Sequence, residues 1–340
     1  MDSRERFMAA LKGQKPDRTP LAHVSALTTV ELQESTGCAM PAVHGDPEAL
    51  ARLGAANHDV LGFDAVSFII NYFSEPAALG CQIDYGDSKE TLPVYTSHPW
   101  RTPDDAKAPD DLLDREPIST YLAMLRIAKR RYGDRMAILG KVMGPFSMAL
   151  VMHGLEDLMT GLIDEPAKIR HFVERAADIL IRCANAQFEA GIDALAIGEG
   201  GAGANMLSPA MYEELLMPIH QRMVRAIGGP TIMHICGDIT PRVASMGKIG
   251  LTCFNFDWAI KPSVMKQSAA GKFAIMGNVN TADLMNAGPD VIRAQVRDCL
   301  AAGVDIISPG CAVSPKCPNR NFKAMANTIA EWHSEEGRTG

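Results

Sequence analysis

The segment TIMHICGDIT (231–240) sets an imidazole and a thiol two residues apart, His234 and Cys236, within an apolar, β-branched run. On a strand, residues i and i+2 share a face, so these two side chains point the same way and Ile235 points the other. Gly237 follows, where a backbone without Cβ turns sharply. A second thiol, Cys311, comes just after Pro309-Gly310 at the end of another apolar run. One imidazole with two thiolates is a soft donor set that selects zinc over magnesium or calcium. Three protein ligands leave a fourth position open, the arrangement of a catalytic zinc rather than a structural one. Asp257 and then Glu199 are the candidates to fill it at rest, with water or Cys317 as alternatives.

Most cysteines are simply small apolar residues, and Cys38, Cys81, Cys183, Cys253 and Cys299 are read that way. His153, His171, His220 and His333 lie on helical stretches without a neighbouring ligand. Glu213, Glu214 and the basic stretch Arg126–Arg131 read as solvated faces. The glycine-rich GEGGAGAN (198–205) lacks the Lys-Ser/Thr of a phosphate loop and reads as a tight turn at a substrate mouth.

The elements that must carry these residues repeat regularly. Eight short apolar runs read as strands: Thr19–Val24, Asp64–Ile70, Ala137–Met143, Asp193–Gly198, Thr231–Cys236, Thr252–Asp257, Phe273–Asn278 and Val304–Pro309. Helical periodicity fills the spaces between them, as in Ala51–Leu61, Tyr121–Tyr132, Pro166–Ala190, Pro209–Ile227 and Pro289–Ala302. Eightfold strand–helix alternation predicts an α/β fold, a TIM (β/α)8 barrel, as a single domain over 1–340. An N-terminal helix (Arg4–Leu11) extends it. The Pro- and Asp-rich stretch 75–114 fits no repeat unit and is expected as an insertion, a lid over the barrel mouth, with a hairpin from Cys81–Tyr85 and Leu92–Thr96. In a barrel the C-terminal strand ends converge on one face, where active sites are built. Glu199, His234, Cys236, Asp238, Asp257, Gly277-Asn278 and Cys311 all fall there, and Gly277 and Asn278 are candidates for contact with a cofactor.

Composition narrows the partners. The chain has 33 Lys+Arg against 40 Asp+Glu, a net charge of −7, with the basic residues dispersed, so no nucleic-acid footprint is expected. No apolar run is long enough to span a membrane. The N-terminus has no apolar export core, so a reducing cytoplasm is expected and the 8 cysteines are free thiols or ligands rather than disulfides.

Nearly end to end, the chain resembles the uroporphyrinogen decarboxylase superfamily, and within it the methylcobamide:coenzyme M methyltransferases. The resemblance lies in RERFMAALKGQKPDRTPL, ANHDVLGFDAV, MLSPAMYEELLMPIHQRM, HICGD, FDWAI, MGNVN and GVDIISPGCAVSPKCPNRNFKAM. It implies that His234, Cys236 and Cys311 bind zinc. It also implies methyl transfer from a methylated corrinoid, methyl-Co(III), to a small thiol such as coenzyme M, with the corrinoid's carrier protein as a partner. Asp257 or Asp238 would take the thiol proton or orient His234. The segment PLAHVSALTTVELQ (20–33) has no arginine, which argues against decarboxylation of a tetrapyrrole. Two positions depart from the relatives' pattern, Glu199-Gly200 for Asp-Pro and Asp238 for Asn, so the identity of donor and acceptor is not carried over. The reverse transfer, from an ether, sulfide or halide to Co(I) corrinoid, uses the same residues. A non-catalytic corrinoid or heme carrier would instead close the site with a fourth protein ligand.

Overall fold

A computed structural model describes residues 1–25, 27–68 and 73–339. Its strands are β1 (Ala65–Val66), β2 (Ile83–Asp84), β3 (Val94–Tyr95), β4 (Ala137–Met143), β5 (Ala194–Gly198), β6 (Thr231–Ile235), β7 (Cys253–Phe256), β8 (Ala274–Val279) and β9 (Ile306–Pro309). Seven of them form one parallel sheet in the order β1-β4-β5-β6-β7-β8-β9. Leu21 bridges to Ile307 and Ala22 to Ala65, so a short eighth segment joins the two edges and the sheet curls into an α/β barrel. The sequence suggests a full strand over Thr19–Val24. Only Leu21 and Ala22 form bridges, with the Pro20 carbonyl accepting from Ile307 N–H at 2.9 Å. Of the expected strand Asp64–Ile70, residues 69 and 70 lie outside the described residues.

The strands read as near-continuous apolar runs because both of their faces are covered. Every residue of β4 is buried. Inside the barrel, Ala22, Ala65, Ala137, Leu139, Ala194, Ala196, Ile232, Cys253, Ala274, Met276 and Ile306 form one cluster. The opposite side chains, among them Ile138, Val142, Ile197 and Ile275, pack toward the surrounding helices. Continued by the same two-residue period, the inner series turns polar at the C-terminal end: Lys141, His234, Asn255, Asn278 and Ser308. The other end is stoppered by the helix Ser3–Leu11, held by an Asp2–Glu5 capping box, whose Phe7, Ala10 and Leu11 join the inner cluster.

A recurrent Gly-x-Asp starts three of the strands, at Gly62–Asp64, Gly191–Asp193 and Gly303–Asp305. Each glycine has a positive φ just after a helix, and each aspartate accepts a backbone N–H from the neighbouring segment: Leu21, Ile138 and Ile275. Asp64, fully buried, also takes Arg6 at 2.7 Å and Arg18 at 3.0 Å. This carboxylate is what registers the short Leu21–Ala22 segment against β1.

Elsewhere the hairpin expected in the 75–114 segment forms, β2 pairing antiparallel with β3. The segment's return path is tied to the helix Pro145–His153 by Trp100 N–H to Met152 O, 2.8 Å, and His153 Nδ1 to Trp100 O, also 2.8 Å. The helix expected over Pro209–Ile227 is interrupted by a π turn at Tyr212–Leu216. Pro218 follows, and a proline cannot donate the ordinary helical bond. Among the described residues, no single helix is long and apolar enough to cross a membrane.

Candidate metal centre

His234 is the inward residue at the end of β6, in register with Asn255 of β7. Its Nδ1 lies 3.2 Å from the Asn255 carbonyl oxygen. A carbonyl only accepts, so Nδ1 carries the proton and Nε2 presents its lone pair to the barrel mouth. Nε2 is 3.3 Å from Cys236 Sγ, and Cys236 Sγ is 3.6 Å from Cys311 Sγ. The three donor atoms all lie within 4.8 Å of one another. Cys236 is one residue past β6, and Gly237, at φ 79°, turns the chain away behind it. Cys311 depends on Gly310, where a Cβ would stand 2.7 Å from the Trp258 nitrogen. Only glycine lets these two loops approach closely enough to bring the thiol over the barrel.

The two thiols titrate as a pair. The hydrogen bond from Cys236 pulls the Cys311 thiol well below the ordinary thiol range. The same contact, with burial and the nearby Asp257 charge, pushes Cys236 well above the ordinary thiol range. One proton shared between two sulfurs beside an imidazole acceptor is a set of atoms ready to exchange protons for a cation. A cavity of about 290 Å³ opens onto all three residues. Its other walls include Lys141, Ser147 and Tyr95 with the apolar Met143, Leu150 and Val151.

Glu199 is fully buried and does not line this cavity. Its Oε1 accepts from Ser147 N–H and Ser147 Oγ, each at 2.7 Å, and Oε2 accepts from Phe146 N–H at 3.2 Å. His220 Nε2 pairs with Oε2 at 2.9 Å, and His220 Nδ1 meets Tyr212 Oη at 3.0 Å. The carboxylate thus caps the helix Pro145–His153 and fixes Ser147 in the cavity wall. Asp257 sits close enough for its charge to act on Cys236, but it stands outside the three-residue cluster, and its Oδ1 accepts from Ala259 N–H at 2.8 Å. Asp238 is exposed, and its Oδ1 accepts from Thr240 N–H at 2.9 Å, capping the next turn. Asn278 Nδ2 donates to the Asp257 carbonyl at 3.1 Å and the Ile260 carbonyl at 2.6 Å, so it shapes the loop after β7. Gly277 sits against the Phe256 ring and, like Asn278, is not among the cavity's walls. Cys317 is buried away from the cluster, with its thiol pushed up to about 11 by burial.

Sequence reasoning missed Lys141, Ser147 and His220. Lys141 carried a usable signal, a cation inside the apolar run AILGKVM. It is buried, and burial lowers its ammonium to about 8 although Cys311, Glu75 and Cys236 oppose the shift. His220 had no local signal, because its partner Glu199 lies on a different element.

Fold and site together define an α/β barrel with a histidine–dicysteine cluster at the C-terminal ends of its strands. The chain belongs to the uroporphyrinogen decarboxylase (URO-D) family, whose model matches residues 2–332. Its relatives include the methylcobamide:CoM methyltransferase MtbA of Methanosarcina mazei, 31% identical over 97% of this chain and 98% of that protein. MtaA of Methanosarcina barkeri, of the same description, is 29% identical over 97% of this chain and 98% of its own length. A solved methyltransferase from Methanosarcina mazei has a TM-score of 0.94 at 28% identity, covering 98% of this chain and 99% of that one.

Proposed function

We propose that this chain is a zinc-dependent methyltransferase that moves a methyl group from a methylated corrinoid to a small thiol such as coenzyme M. The observation that carries the reading is the convergence of His234 Nε2, Cys236 Sγ and Cys311 Sγ within 4.8 Å at the floor of an open cavity. The donor set fits zinc: it is soft, it has three members, and the imidazole is oriented by a backbone carbonyl as metal-binding histidines are. Bound there, zinc would hold a coordinated thiol as its thiolate at neutral pH. Relatives described as methylcobamide:CoM methyltransferases align over the full length, which supports the donor and acceptor classes.

The chain's own residues then have separable tasks. The Asn255 carbonyl holds the His234 tautomer. Asp257, beside Cys236, is the carboxylate best placed to receive the proton that the acceptor thiol loses on binding. Ser147, pinned by Glu199, and the apolar Met143, Leu150 and Val151 shape the space in which sulfur meets methyl. In the transfer, the sulfur lone pair forms the S–C bond as the Co–C bond breaks, and the released pair reduces Co(III) to Co(I). The 75–114 segment, which brings Tyr95 to the cavity wall, serves as a lid, and the corrinoid arrives on a carrier protein. The reverse transfer has one supporting observation, a relative from Methanosarcina mazei described as a methylated-thiol–coenzyme M methyltransferase, 28% identical over 97% of this chain.

Metal analysis tests the reading. Purified protein is expected to hold one zinc per chain, with Cys311→Ala losing zinc and methyl transfer together. Activity retained without zinc would contradict it.

A further inference from the structure

We propose that Arg242 is a positioning residue for the metal centre: it rivets the loop after β5 to the loop after β6 and so holds Cys236 where a zinc ion needs it. The inference rests on the reading of His234, Cys236 and Cys311 as a zinc site. Arg242 is 1% exposed, and no carboxylate pairs with it among the described residues. A guanidinium taken out of water without a counter-ion is costly, and an apolar side chain would fill the same space at less cost. What the guanidinium supplies here is a rigid set of directed donors. One of its amino groups donates to Ala202 O at 2.5 Å, and the other to Gly203 O at 3.2 Å and to Leu207 O. The guanidinium also lies 5.4 Å from the centre of the Tyr212 ring, which fixes its plane from another side.

Both ends of this rivet bear on Cys236. Arg242 lies six residues beyond it, at the end of the 3-10 turn Thr240–Arg242. Gly237 turns the chain, and Asp238 Oδ1 caps that turn by accepting from Thr240 N–H at 2.9 Å and from Thr240 Oγ at 2.6 Å. This path brings the Arg242 side chain back to the 200–207 loop. That loop lies directly on the ligand residue: a Cβ at Gly203 would stand 3.2 Å from Cys236 O, and one at Gly200 3.5 Å from Cys236 Sγ. Gly200, Gly201 and Cys236 then share the wall of the metal-site cavity.

Cys236 stands one residue past β6, so the loop packed against it decides where its sulfur lies. Without the guanidinium, the carbonyls of Ala202, Gly203 and Leu207 lose their shared donor and the loop is free to lift from Cys236. Arg242 thus does for Cys236 what the Asn255 carbonyl does for His234. Removing a group that orients a ligand without touching the metal weakens binding by roughly 10- to 100-fold.

The experiment measures zinc affinity by chelator competition, and the thiolate-to-metal charge-transfer band of the cobalt(II)-loaded protein. The proteins are wild type, Arg242→Met, Arg242→Lys and Gly203→Ala, each checked for fold by urea unfolding. Arg242→Met is expected to bind zinc roughly 10- to 100-fold more weakly and to lose part of the cobalt band, as Cys236 is no longer held on the metal. Arg242→Lys, which keeps a cationic donor, should recover part of both. Gly203→Ala leaves the guanidinium in place and presses on Cys236 from the loop side, so it should weaken zinc as well and reads the same linkage if Arg242→Met does not fold. Folded variants with the zinc affinity and cobalt band of wild type would overturn the role of Arg242 and leave the zinc reading intact. Zinc loss that only tracks lost stability, with no recovery in Arg242→Lys, would overturn it too. A wild type that binds neither zinc nor cobalt would remove the zinc reading and the Arg242 role together.

Discussion

Cys236 and Cys311 are 75 residues apart in the chain, yet their sulfurs lie 3.6 Å apart at the barrel mouth. That separation is too long for a disulfide and right for two ligands on one ion, and the lone pair of His234 Nε2 is 3.3 Å from the nearer sulfur. Replacing either cysteine by alanine is expected to weaken zinc binding by more than the ~10- to 100-fold that loss of an outer partner causes. Competition with a chelator of known affinity reads this directly. A variant that keeps wild-type zinc affinity would remove its cysteine from the ligand set.

Glu199 is expected to matter for stability rather than for metal. Removing one member of a buried, hydrogen-bonded pair costs about 3–5 kcal/mol, so Glu199→Ala should unfold at much lower urea while any folded fraction still binds zinc. Glu199→Gln, which keeps the shape, should cost less. Zinc lost from a Glu199→Gln protein of near-normal stability would instead make Glu199 a ligand.

Burial pushes the Glu75 carboxyl up to about 7 from an ordinary 4.5. The folded state therefore holds this proton more tightly than the unfolded state does, and the penalty for ionising it grows as pH rises from about 4.5 to 7. Glu75→Gln should leave stability nearly unchanged below that window and raise it above, by at most about 3 kcal/mol. His23, buried and held down to about 3 by desolvation and then by Lys141 and His234, acts at the acid side. Its contribution is complete above about 6.5 and is lost as pH falls toward 3. Denaturant titrations across pH 4 to 8 check both signs.

At the far end of the barrel, Asp64 joins Arg6, Arg18 and the Leu21 N–H. Asp64→Ala leaves two arginines without their buried partner and should destabilise the protein by about 3–5 kcal/mol. Zinc stoichiometry in the folded protein should not change, because the metal cluster lies at the opposite strand ends. Zinc loss at constant stability would contradict this division of the barrel.

What was legible in the sequence was local and periodic. Strands such as Ala137–Met143 announce themselves by apolar runs between turn residues, and a strand's period of two alone brings His234 and Cys236 to one face. Cys311 was placed by its Pro-Gly turn at a strand end. The carboxylates were harder to read, because their partners are set by packing. Glu199 finds His220 across a π turn, and Asp238 spends its oxygen on Thr240. Asn278, read as a candidate cofactor contact, donates its amide to the carbonyls of Asp257 and Ile260 in the next loop. Lys141 could be seen as an oddity in its strand, but its convergence with a cluster 93 to 170 residues further along required the closed barrel.

The central claim is tested most directly by following the visible spectrum of methylcobalamin mixed with zinc-loaded protein and coenzyme M. Loss of the methyl–cobalt band that requires both thiol and protein, and fails with Cys311→Ala, is the expected result. An unchanged spectrum with zinc confirmed in the protein would contradict methyl transfer from corrinoid to this thiol.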